Sequence, residues 1–255
     1  MSVFALKLFA MVSMLADHLG SLLYELGAIS FQTGVYFHTL GRFAFPLYCF
    51  LLGEGFRHSQ DRPLKLRDHL FFLLLLAAVS EPLFDYFSAG ELSGRTGQSV
   101  VFTLVLGYAG LWLIHSFTGV LWKQVLAAGT VILSGFLLGT NYGAAGVALV
   151  LICYGCQSLA GEKPWYLRLP AWLLALALYY ALYNWIRSGL GGMTNLWGQI
   201  KAMGVYGLPH LLLVPILTAY DGSLGLRSKT LHRVYQWFYP AHLAILCLLK
   251  LLLRF

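Results

Sequence analysis

Charge is what this chain has least of. Only 11% of its 255 residues are Asp, Glu, Lys or Arg, while 59% are apolar; a soluble domain carries about 25% charged and 45–50% apolar residues. So sparse a set cannot clothe a water-facing surface. That excludes a soluble enzyme, a disordered tail and a large soluble domain on one anchor. Acidic residues are the scarcest, ten against seventeen basic ones, for a net charge of +7. No basic helix or aromatic–basic stripe stands outside the apolar runs, so no nucleic-acid role is expected. The four cysteines all sit in apolar stretches. Cys153-Tyr-Gly-Cys156 falls on one helical turn with no second pair, which reads as inert buried thiol. Phosphate-loop, dinucleotide, nucleophile-elbow and paired-histidine metal motifs are absent. The first apolar run carries Lys7, Asp17 and His18 and has no small-residue cleavage site, so no cleavable signal is expected.

What the chain has instead is length of apolar run. A membrane span needs about 20 mostly apolar residues. Nine such runs are legible, at 3–26, 34–56, 67–88, 99–119, 121–139, 142–159, 167–187, 200–219 and 233–254. Short linkers join them, such as Arg62-Pro63, Glu162-Lys163-Pro164 and Gly189-Leu190-Gly191-Gly192. The expected fold is an all-α transmembrane bundle, one integral-membrane domain over 1–255. Loops after even-numbered spans hold ten basic residues, Lys229 and Arg233 among them; those after odd-numbered spans, with the C-terminal end, hold six, counting Arg42 and Lys250. By the positive-inside rule the amino terminus is cytosolic and the carboxy terminus outside. Arg57, Arg62, Lys65 and Arg67, crowded into the first even loop, carry most of that orientation.

Ionisable groups inside spans cost at least about 2.5 kcal/mol each at mid-depth, so they mark a pathway or a site. In the first span Lys7 and His18 are eleven residues apart. They therefore share a helix face, separated by about 16 Å at 1.5 Å per residue. Either Lys7 snorkels to the interface while His18 and Asp17 satisfy neighbouring helices, or the pair lines a long anionic ligand entering from the Lys7 end. The second span carries Arg42 at its outer end, Pro46 in mid-run and Glu54 between Gly53 and Gly55, readable as a structural kink or a functional one. Ser80-Glu81-Pro82 and Asp85 lie near the outer end of the third, where either carboxylate can serve as a cap. His210 follows Pro209, and His242 follows Tyr239-Pro240. Each is a core histidine or a proline-broken helix opening onto a cavity.

Taken in order, these blocks resemble a known family. Leu6-Lys7-Leu8-Phe9 through Ala16-Asp17-His18, Leu40-Gly41-Arg42-Phe43-Ala44-Phe45-Pro46, Gly53-Glu54-Gly55-Phe56, Ser80-Glu81-Pro82, Tyr142-Gly143-Ala144-Ala145-Gly146 and Phe238-Tyr239-Pro240-Ala241-His242-Leu243 resemble the TraX family, named for an acetylase of conjugative pilin. One departure is at Val234-Tyr235, where the family often has two aromatic residues. The family is similar to the acyltransferase-3 group, whose first helix carries Arg or Lys, ten residues, then His. Resemblance implies a multi-pass bacterial inner-membrane acetyltransferase using acetyl-CoA, with His18 as base and Lys7 serving the donor. Arg42, Glu54, Glu81, Tyr142, Tyr239 and His242 match family motif positions without assigned roles.

The expected chemistry is direct transfer in a ternary complex. Arg57, Arg62, Lys65 and Arg67 are candidates for the donor phosphates, with Asp17 beside the base and no metal required. The acceptor at the bilayer is the amino terminus of a pilin, or, in a rival reading, the hydroxyl of a surface glycan. A small-solute transporter using His18, Glu54 and Glu81 is the rival from another class.

Overall fold

Along the first run the buried residues recur as Leu6, Ala10, Ser13 and Met14, while Leu8, Val12 and Leu15 stay exposed. That stripe, at steps of three and four, makes helix α1 (Val3–Glu25), capped by the Ser2 side chain, which accepts from the Ala5 N–H at 3.3 Å. The outward leucines suit lipid, since in a bilayer an apolar outer face costs nothing. The computed structural model describes residues 1–91, 97–188, 208–226 and 228–253. After α1 come α2 (Phe31–Gly41), α3 (Ala44–Arg57), α4 (Pro63–Ala89), α5 (Val100–Ser116), α6 (Leu121–Leu137), α7 (Gly143–Ala160), α8 (Trp165–Ser188), α9 (Leu208–Thr218) and α10 (Lys229–Leu253). Among the described residues the chain is all helix and loop, apart from one isolated bridge between Gln98 and Thr140.

Among the described residues six segments are long and apolar enough to cross a membrane: Val3–Glu25, Phe31–Arg57, Pro63–Ala89, Gly143–Ala160, Trp165–Asn184 and Lys229–Leu253. Helices α5 and α6 are apolar but shorter, at 17 residues each. Nine full spans is therefore more than the described helices reach. Residues 200–207 of the eighth expected span lie outside the described residues, as do loop residues 189–192, Arg95, Lys201, Arg227 and Arg254.

Two proline expectations change. The chain breaks at Arg42–Phe43, upstream of Pro46, which sits in the first turn of α3. There its missing N–H would have had no intrahelical partner, and its ring forbids continuing the helix back through residue 42. Pro240, where a broken helix is one of two readings, lies inside a helix that runs on to Leu253.

Helix α3 is mostly buried. It packs on α1, α5 and α7, and Phe45, Phe50 and Phe56 are almost wholly buried on it. Gly53 lets α7 come close, because a methyl there would lie 3.2 Å from the Tyr154 backbone nitrogen. The loops sort to two ends. At the Lys7 end the Tyr220 hydroxyl donates to Glu54, Arg57 pairs with Glu162, and Val3 N–H bonds Ser223 O. At the other end Lys250 pairs with Glu25 at 2.7 Å and donates to Phe87 O at 2.7 Å. Lys250 was expected among the loop charges; it is 1% exposed and ties α10 to α1 and α4. Those are the helices that carry and flank the site.

Candidate active site

Helices α1 and α10 lie side by side, which brings together two histidines 224 residues apart. His18 Nδ1 and His242 Nε2 are 2.7 Å apart, with the rings within 4° of parallel. His242 Nδ1 is 2.9 Å from the Phe238 carbonyl oxygen. A carbonyl only accepts, so His242 Nδ1 carries hydrogen and its Nε2 is the acceptor for His18 Nδ1–H. The chain of bonds thus fixes both tautomers and leaves His18 Nε2 with its lone pair. Phe87 packs beside the His18 ring, centroids 5.4 Å apart.

His18 borders a cavity of about 250 Å³, shared with Asp17, His38, Arg42, Tyr142 and Tyr239. Asp17 Oδ1 accepts from His38 Nδ1 at 2.7 Å, and Arg42 Nη2 lies 3.4 Å from His38 Nε2. Gly41 makes this possible, since a methyl there would overlap the Asp17 side chain. Tyr142, just before α7, stacks on Phe45 with centroids 3.7 Å apart. His38 went unnoticed in the sequence; its signal is the spacing to Arg42, four residues on, which places both on one helix face.

This cavity is the middle of a series. Towards the Lys7 end it shares Met14, Val100 and Tyr239 with a mostly apolar cavity of about 280 Å³, walled by Leu51, Phe72 and Leu76 among others. That one reaches Lys7, His69, His232 and Tyr235, and shares Lys7, His232, Tyr235 and Gln236 with a wider recess of about 710 Å³ also bordered by Lys229 and Arg233. Lys7 Nζ sits 4.3 Å over the Tyr235 ring. In the other direction the His18 cavity shares His38, Arg42 and Tyr183 with a recess of about 500 Å³ lined by Tyr24, Phe31 and Asn184.

The remaining expected residues lie elsewhere. Arg57 is bound to Glu54 and Glu162, and Arg67 to its neighbour Asp68 at 3.1 Å, while Arg62 and Lys65 are exposed. None of these four borders the described cavities; the basic rim around Lys7 comes instead from α10 and from His69. Glu54 is buried under four hydrogen bonds. Glu81 accepts the Ser99 N–H at 3.0 Å, capping the start of α5 rather than the end of its own helix. His210 is buried between Tyr179 and Tyr180 and does not border the His18 cavity. Among the described residues no cluster of three or more His, Cys, Asp or Glu side chains is placed to hold a metal ion.

Fold and site together define a multi-pass α-helical membrane protein with a histidine pair opening on an internal cavity. The chain belongs to the TraX family: the family model described as TraX protein matches residues 2–250. It is also similar to the probable fimbrial assembly protein FimC, serogroup H1, of Dichelobacter nodosus, with 30% identity over 264 aligned positions covering 99% of this chain and 97% of that protein. No solved structure matches it.

Proposed function

We propose that this protein is an acetyl-CoA-dependent acetyltransferase of the bacterial inner membrane, acting on an amine or hydroxyl of a protein acceptor destined for surface fibres. The observation that carries this reading is the bond chain Phe238–His242–His18, which leaves His18 Nε2 unprotonated beside a cavity that has a neighbouring recess towards each end of the molecule. A base so fixed needs no reorganisation when the acceptor loses its proton.

The donor enters at the Lys7 end, on the cytosolic side. Its phosphates meet the basic rim of Lys7, Lys229, His232 and Arg233, and its pantetheine arm follows the apolar cavity. The span from Lys7 to His18, about 16 Å along α1, suits an extended arm. The thioester then stops beside His18, and the acceptor reaches it from the recess at the opposite end. No cysteine borders this cavity, which favours direct attack over an acetyl-enzyme. The name of the Dichelobacter relative, a fimbrial assembly protein, favours a fibre subunit over a glycan as acceptor.

The test is incubation of membranes containing the protein with acetyl-labelled CoA, followed by identification of what carries the label. A labelled protein amino terminus is expected. Label on a glycan would redirect the acceptor, and CoA neither bound nor cleaved would overturn the enzyme reading.

A further inference from the structure

Acyl transfer puts a negative charge on the carbonyl oxygen as the tetrahedral intermediate forms, and some donor must meet it. His18 cannot, because its free nitrogen accepts the acceptor's proton. The requirement is a buried hydrogen-bond donor, not otherwise engaged, at the wall where donor and acceptor meet.

Among the described residues, Tyr239 meets each condition. Tyr239 borders both the His18 cavity and the apolar cavity leading from Lys7, so it stands at their junction. It is 7% exposed, and its hydroxyl is buried without a hydrogen-bond partner. The Ser99 side chain beside it does not claim it, since the Ser99 hydroxyl is itself buried and unpartnered. A phenol orphaned in low dielectric loses about 1–3 kcal/mol, a cost that a ligand oxygen would remove. The ring is 6.5 Å from that of His18 and 5.5 Å from that of His242, one turn along the same helix. A carbonyl carbon lying between imidazole and phenol would have its attacking group on one side and its oxygen on the other.

We propose that Tyr239 is the oxyanion donor of the acetyl transfer, an assignment that rests on the acetyltransferase reading above. The acceptor's lone pair attacks the thioester carbon, and the C=O π pair moves to oxygen, which takes a hydrogen bond from Tyr239 Oη. His18 Nε2 receives the acceptor's proton. Collapse re-forms the carbonyl and expels CoA thiolate, which regains that proton from His18. Tyr239 keeps its own proton throughout.

Tyr239→Phe removes only the hydroxyl. With acetyl-CoA and a short peptide bearing a free amino terminus, turnover should fall on the order of 10²–10³-fold, while any rise in the apparent KM for acetyl-CoA stays well below the loss in turnover. Without acceptor, isotope-edited infrared spectra of bound [13C]acetyl-CoA should show the carbonyl band at lower frequency in wild type than in the variant. Turnover within a few-fold of wild type, or the same band in both, overturns the assignment. Should Tyr239→Phe fold poorly, 3-fluorotyrosine at 239 keeps the hydroxyl and makes it a stronger donor. The band must then move lower still, and an unmoved band counts against the proposal. Wild-type protein that binds and cleaves no acetyl-CoA overturns the underlying reading instead, so the two failures are distinguishable.

Discussion

Glu54 and His18 are both ionisable groups inside the bundle, and both stand in motifs that mark them as candidates, yet the structure gives them opposite surroundings. Glu54 is saturated. Arg57 donates to it through Nε and Nη2, His58 lies 3.0 Å away, and the Tyr220 hydroxyl donates at 2.9 Å. Its carboxylate ties α3 to the loop after α9 at the Lys7 end and borders none of the described cavities. His18 has one nitrogen engaged and the other open to a cavity. A buried polar group with every valence met rigidifies a fold; one with a valence held open towards a space is placed for chemistry. The Lys250–Glu25 pair falls with Glu54 on the structural side.

That contrast can be broken at either end. The largest expected effect on folding is at Glu54→Ala, which strands Tyr220 and Arg57 and should cost about 2–4 kcal/mol of stability. Denaturation in detergent checks it, and surviving folded protein should keep near-normal turnover. His242→Ala should do the reverse, costing less stability than Glu54→Ala but lowering turnover about 10–100-fold by freeing the His18 tautomer. Because His242 acts through His18, the KM for acetyl-CoA should stay put, and His242→Gln should recover part of the rate. Lys7→Ala should raise that KM on the order of tenfold with little change in turnover, and the defect should shrink at high salt as phosphate contacts weaken in both proteins. Neutralising Arg62 and Lys65 should change it far less. The smallest fall in turnover is at Gly41→Ala, where the added methyl overlaps Asp17 Cβ, loosening α1 from α2 and moving Asp17 off His38; a few-fold fall in acceptor turnover with normal donor binding and some loss of stability is expected, measured by steady-state kinetics and denaturation.

How much was legible beforehand follows from the range of the interactions. The shared face of Lys7 and His18 is a matter of helical period, and α1 runs unbroken through both. The family blocks placed Asp17, Arg42, Tyr142, Tyr239 and His242 as candidates, and the structure gathers the first four around His18 and joins the fifth to it. What sequence could not supply was pairing across the bundle. The His18–His242 bond joins residues 224 apart, and no local pattern encodes which helices become neighbours. The same gap hides which basic residues surround Lys7: Arg57–Arg67 form the densest basic loop in the sequence, while the rim around Lys7 is built by the start of α10 and by His69. Pro46 misled for a related reason. Proline reports a break, but the break falls at residues 42–43, where the ring would clash, rather than at the proline itself.

The central claim is that His18 is the base of an acetyl transfer, and purified His18→Gln protein tests it most directly. Glutamine keeps the size and a hydrogen bond to His242, so the bundle should assemble and bind acetyl-CoA as wild type does. Release of CoA in the presence of an acceptor should fall on the order of 10²–10⁴-fold. Folded His18→Gln protein that turns over at the wild-type rate would contradict the account.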